Sequence, residues 1–198
     1  RRASSVAHIG AIDLGGDNPI RIQSMTTTNT NDTEACVRQA EEIIKAGGEL
    51  VRFTTQGSRE AENMKNINAG IRADGYQTPL VADVHFNPNV ADVAALYCEK
   101  VRVNPGNYVD PARKFIKQEY TDEEYAHELK KIEERFVPFL NICKENHTAI
   151  RIGVNHGSLS DRIRNRYGDT PEGIVESCLE FLRICKKENF HDVVISIK

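Results

Sequence analysis

Short apolar runs, each trailed by a polar turn and a longer amphipathic stretch, recur along the chain. They read PIRIQSM (19–25), ELVRFT (49–54), TPLVADVHF (78–86), KVRVNPG (100–106), AIRIGV (149–154) and HDVVISIK (191–198). Runs of this kind suit strands of a parallel sheet covered on both faces. Between them the spacing predicts helices from about Asp32 to Ala46, Ser58 to Ala73, Pro88 to Tyr97, Thr121 to Glu145 and Thr170 to Glu188. Asp32, Ser58 and Thr170 are the expected caps, Gly47 and Gly48 a stop, and Pro171 stands where a first helical turn tolerates it. Ahead of these units, SVAHIG and AIDLGG, punctuated by Gly10 and by the Gly15 to Pro19 cluster, predict a β-hairpin that caps a larger fold.

Six strand-plus-helix units in sequence imply a parallel α/β fold. A TIM-type (β/α)8 barrel is expected rather than an open doubly wound sheet, because polar groups recur at the C-terminal end of every strand and not at one switch point. No G-x-G-x-x-G follows the first strand, which argues against a dinucleotide site. Six units against the eight of a closed barrel lead to the expectation of one incomplete barrel domain over 1–198, with the edges of its first and sixth strands open to pairing and a homodimer as one consequence. The stretch from Tyr108 to Glu124 is long for a βα loop and is expected to reach over the mouth of the barrel.

Composition narrows the class. The 198 residues carry 28% charged side chains and a formal net charge of −3, without a Lys/Arg run, so binding to nucleic acid through a broad basic face is not expected. No eighteen-residue apolar run or signal-peptide pattern suggests a membrane. A bacterial cytoplasmic setting is expected, or a plastid if a transit peptide was removed, since the chain begins at Arg1 and not at Met. Cys36, Cys98, Cys143, Cys178 and Cys185 have no C-x-x-C pair and no histidine at ligand spacing. Each falls in an expected helix among apolar neighbours and reads as a small buried hydrophobe, so no metal site is expected within the chain.

The chemistry gathers at strand ends. Arg52 (VRFTT), Asp83 and His85 (ADVHF), Arg102 and Asn104 (VRVNPGN), Arg151 and Asn155 (IRIGVN) and Lys198 (SIK) occupy equivalent places on successive strands. In a barrel such groups converge, and a ring of cations there calls for a multiply anionic ligand, most simply a diphosphate. Residues 151, 153 and 155 alternate onto one face, so Arg151, Gly153 and Asn155 share a surface. Gly106, Asn107, Gly157 and Ser158 are expected to add backbone amides for phosphate oxygens, with His156 beside them. The plainer reading pairs Arg52 or Arg102 with Asp83 as a structural ion pair and makes His85 a structural histidine.

IRIQSMTTT, LVRFTTQGSREAENM, PLVADVHFNPNVA, KVRVNPGNY, IRIGVNHGSLSDRI and VVISIK resemble, in order and spacing, the N-terminal barrel of the 4-hydroxy-3-methylbut-2-enyl diphosphate synthase family, in its long three-domain form. The resemblance runs from about Val6 to Lys198. It implies an oxidoreductase of non-mevalonate isoprenoid biosynthesis. That enzyme reductively opens 2-C-methyl-D-erythritol 2,4-cyclodiphosphate, with two electrons from ferredoxin or flavodoxin passing through a [4Fe–4S] cluster. The cluster's ligands would lie outside this chain, which alone would bind and not turn over. Carried over by residue, Arg52, His85, Arg102, Arg151, Asn155 and Lys198 match diphosphate-binding positions; Asn104 is expected to join them from its strand-end place, and Asp83 with His85 is a candidate proton relay. A pteroate-synthase-like transferase barrel and a cluster-free anion-binding scaffold are the alternatives.

Overall fold

The computed structural model describes residues 2–110 and 119–198. Strands β1 (Val6–Ile9) and β2 (Ile12–Gly15) form an antiparallel hairpin. Six parallel strands follow: β3 (Gln23–Met25), β4 (Leu50–Thr55), β5 (Leu80–Val84), β6 (Lys100–Val103), β7 (Ala149–Val154) and β8 (Val193–Ile197). They pair strictly in sequence order, as crossover helices on one side of a curling sheet require. The helices are α1 (Thr33–Lys45), α2 (Ser58–Ala73), α3 (Pro88–Ala95), α4 (Asp122–Asn146), α5 (Asp161–Tyr167) and α6 (Pro171–Lys187). The expected barrel type, with six β/α units and an N-terminal hairpin, is the fold observed.

Local chemistry accounts for the helix starts. Asp32 Oδ1 accepts from Ala35 N, and Thr170 Oγ1 from Gly173 N. Ser58 is the first residue of α2 and not its cap; Gly57 holds that place, its N–H donating to Glu60 Oε2. Cys98 likewise lies in the turn beyond α3 and not in a helix. All five cysteines are buried and unpaired, packed as small hydrophobes.

The first strand is shorter than the apolar run predicts. Residues 19–22 leave the ladder because Arg21 is drawn to Asp13 O and Glu49, while Ile22 O accepts from Glu49 N and Leu50 N. Ile20 is 79% exposed, and Ile195 and Ile197 on β8 are about half exposed. Burial on both faces therefore holds for the four inner strands and fails at β3 and β8, each of which has a single strand neighbour. Residues 111–118, about half of the expected excursion over the mouth, lie outside the described residues.

Two apolar layers frame the site. Outside the sheet the helices pack a continuous core, which includes a cluster of Tyr108, Phe136, Phe139 and Phe181 with Phe136 and Phe181 edge to face at 4.9 Å. Beneath the sheet, Ile9 of the hairpin is buried against Leu50, Val81 and Ala149, with Ile12, Leu14 and Val194 packed around them. These are residues at the N-terminal ends of the strands, so the hairpin plugs the bottom of the barrel. The interior above this plug is polar.

Candidate anion-binding site

Inward-facing residues of β4 to β8 build the bowl. Asp83, Arg102 and Arg151 stand in one cross-strand row, Asp83 opposite Arg102 and Arg102 opposite Arg151. Asp83, 1% exposed, is the hub. It pairs with Arg52 Nη2, accepts from Arg102 Nη1 at 3.1 Å and lies 3.3 Å from His85 Nε2. Burial alone would raise the Asp83 pKa; the hydrogen bond from His85 and the charges of Arg52 and Arg102 outweigh it and hold the carboxyl at about 2. Asp83 is therefore a fixed anion at neutral pH. His85, a third exposed at its side chain, sits at the rim beside the exposed Phe86.

Arg102 reaches across to β7, where Nη2 donates to Gly153 O at 2.9 Å. Its guanidinium occupies the space that a side chain at 153 would need: a Cβ there would stand 2.3 Å from Arg102 Nε. Gly153 is thus a glycine because of its neighbour on β6, not because of its own backbone. Gly153→Ala is expected to push Arg102 off Asp83, destabilising the protein by about 1–3 kcal/mol as overpacking does and weakening anion binding roughly tenfold, the equivalent of about 1.4 kcal/mol. Urea unfolding and pyrophosphate calorimetry on the same protein would check both.

Arg151 is half-buried and donates from Nη2 to Ser196 Oγ at 2.8 Å, with no carboxylate in ion-pair reach among the described residues. Burial, then Arg52 and Arg102, pull its pKa down. Lys198 is exposed at the end of β8, where its backbone N–H donates to Val154 O and its carbonyl accepts from His156 N. Arg52, although paired, keeps a buried Nε donor without a partner among the described residues.

Asn104 and Asn155 build turns. Each Oδ1 accepts from the N–H two residues on, at Gly106 and Gly157, and Asn104 Nδ2 ties the two turns together through Ser158 Oγ at 2.7 Å. The expectation that amides of residues 106, 107, 157 and 158 face a phosphate needs correcting. Asn107 N donates to Asn104 O and Ser158 N to Asn155 O, so all four are engaged within the turns. Gly106 is bare because Ser158 O would lie 1.8 Å from a Cβ there. The repeated Asn-x-Gly in both loops was the signal for an Asx turn. His156 pairs with Asp169 instead of turning into the bowl.

Sequence reasoning missed Ser196 and Lys100. Lys100 lies on the same face of β6 as Arg102, two residues earlier, and is almost fully buried. With it the bowl holds, among the described residues, four Lys and Arg side chains, Arg52, Lys100, Arg102 and Arg151, around a single carboxylate, Asp83. Nothing in the described residues fits an iron–sulfur cluster. Burial pushes the thiols up, to about 11 at Cys178 and about 12 at Cys185, whereas a ligand must be a thiolate. No three His, Cys, Asp or Glu among the described residues gather to hold a metal, and no helix there is long and apolar enough to cross a membrane.

A TIM-type β/α sheet whose strand ends surround a cation-rich bowl defines a β/α barrel with its polar groups gathered at the C-terminal face. The chain belongs to the GcpE TIM-barrel domain family, whose model matches residues 4–198. It is 77% identical over its whole length to a 4-hydroxy-3-methylbut-2-en-1-yl diphosphate synthase (flavodoxin) of Phocaeicola vulgatus and 75% identical to that of Bacteroides thetaiotaomicron. It spans 32% of the length of each of these relatives. Among solved structures, a truncated 3-deoxy-D-arabino-heptulosonate 7-phosphate synthase from Thermotoga maritima superposes with a TM-score of 0.57 at 10% identity, over 98% of this chain and 56% of that one, a likeness of fold alone.

Proposed function

We propose that this chain is the substrate-holding barrel of an oxidoreductase that reductively opens 2-C-methyl-D-erythritol 2,4-cyclodiphosphate to 4-hydroxy-3-methylbut-2-enyl diphosphate in isoprenoid biosynthesis. The observation that carries the reading is the uncompensated charge of the bowl. Desolvated guanidinium groups are costly unless an anion meets them, and one carboxylate does not balance Arg52, Arg102 and Arg151. A diphosphate supplies the missing charge, and the unmet Arg52 Nε is a donor for it. The names of the relatives agree with that ligand class.

Arg52, Arg102 and Arg151 neutralise and orient the diphosphate, Lys198 and His85 close on it from the rim, and Asn104 and Asn155 hold the two turns that shape the mouth. Asp83, pinned in its ionised form, orients His85; of the two, His85 is placed to carry a proton to a departing hydroxyl. The reaction needs two electrons, which flavodoxin or ferredoxin would supply through a [4Fe–4S] cluster that the described residues do not hold.

The test is to purify the protein at its natural length without oxygen and to measure iron, sulfide, cyclodiphosphate binding and reductive turnover together. Turnover with cluster iron present supports the reading. A folded protein that binds no cyclodiphosphate sinks it in favour of a scaffold in which Asp83 and its arginines are only a structural network.

A further inference from the structure

Lys100 begins in the apolar floor and ends in the bowl. Its cross-strand partners are Val81 and Ala149, both packed beneath the sheet against Ile9 of the hairpin. The side chain is 2% exposed, and Nζ donates at 3.2 Å to Gln23 Oε1, on the far side of the curl. No carboxylate of the described residues lies in ion-pair reach of it. Of the strands around it, β3 offers the neutral Gln23, and β4, β6 and β7 offer the cations Arg52, Arg102 and Arg151. Asp83, the carboxylate of β5, is engaged by Arg52, Arg102 and His85. An ammonium in this place is stripped of water and repelled by its neighbours. Burial first, then Arg151 and Arg52, draw the lysine pKa down to about 7.

We infer that Lys100 is a further anion-site residue that acts from beneath the ring: it is charged when a diphosphate occupies Arg52, Arg102 and Arg151 and sheds its proton when the ring is empty, so that binding draws a proton in with the anion. This deepens the diphosphate reading and rests on it. A bound polyanion cancels the repulsion from Arg52 and Arg151 and replaces it with attraction, which favours the ammonium form. Gln23 Oε1 accepts from the amine in either state and keeps the side chain in place. Lys100 is a positioning residue in this role, since it holds the potential of the floor.

The sign follows from linkage. Below pH of about 7 the lysine is charged in both states and adds no pH dependence; above it, the empty bowl has lost the proton that the filled bowl retains, and affinity falls with rising pH by up to about tenfold per unit. Calorimetry of pyrophosphate binding to the protein at its natural length, repeated in two buffers of different ionisation enthalpy, counts the protons. The wild type is expected to take up about one proton more per site at pH 8 than Lys100→Met or Lys100→Arg does, and about the same number as they do at pH 6. Pyrophosphate gripped by cations tends to release protons, the opposite direction, and His85 is common to all three proteins. Equal counts at pH 8 in wild type and variants, with binding intact, overturn the role of Lys100 and leave the diphosphate site standing. Absence of any pyrophosphate binding overturns the diphosphate reading and this inference with it. If neither variant folds, the wild-type profile decides: uptake must rise between pH 6 and 8, and a flat profile overturns the inference.

Discussion

Replacing Arg162 with methionine is expected to lower the stability of the protein by about 3–5 kcal/mol, the cost of breaking a buried ion network from one side. Arg162, on α5, is 3% exposed and is gripped by two carboxylates that are themselves buried. Nη1 and Nη2 donate to Glu180 of α6, both at 2.7 Å, while Nε and Nη2 donate to Asp110, beyond β6, at 3.3 and 3.0 Å. Tyr125 of α4 completes the knot by donating to Glu180 Oε1 at 2.6 Å, with its ring 4.7 Å from the guanidinium. Methionine fills the volume and leaves Asp110 and Glu180 facing each other with no cation of the described residues in ion-pair reach. Urea unfolding measures the loss. Adding Asp110→Asn and Glu180→Gln is expected to restore most of it, because apolar or neutral replacement of a whole buried pair costs little. A loss below about 1 kcal/mol in the single variant would mean that water already reaches the network, as at exposed ion pairs.

Arg151→Met is expected to do the reverse, sparing the fold and impairing the site. Among the described residues its guanidinium bonds to the Ser196 hydroxyl and to no carboxylate, so none is orphaned and repulsion within the bowl is relieved. Stability should move by less than about 1 kcal/mol, the usual size of one neutral hydrogen bond. Pyrophosphate and cyclodiphosphate affinity should fall about 30- to 150-fold, or about 2–3 kcal/mol, as when a charge-assisted contact is lost from a dry site. Arg102→Met makes the contrast, since it also removes a partner of Asp83 and should lose stability along with affinity. Unchanged pyrophosphate affinity in Arg151→Met would remove Arg151 from the anion site and shift the proposed ligand toward the other side of the bowl.

The two variants mark what could be read from the chain. Arg151 stood out because a guanidinium in an apolar strand needs an anion, and strand alternation put it on the face of Gly153 and Asn155. Arg162 did not, because nothing near it in sequence contains Asp110, Tyr125 or Glu180; they arrive from three other segments. Lys100 could have been found by the alternation that found Arg102, two residues away. It was passed over because it opens its strand, where a lysine ordinarily reaches water, and only the hairpin plug under Val81 and Ala149 closes that exit.

Sequence by itself determined the order of the elements, the barrel type, the faces of the inner strands and the identity of the cations they carry. Those follow from periods of two and 3.6 residues and from caps and turns, all of which act within a few residues. Tertiary structure alone decided which cations are neutralised and which are left over. Asp83 is within reach of Arg52, His85 and Arg102, while Arg151 finds a hydroxyl and Lys100 an amide oxygen. That division depends on distances across a curled sheet and on the exclusion of water from its floor, and charge–charge energy is set by separation and local dielectric.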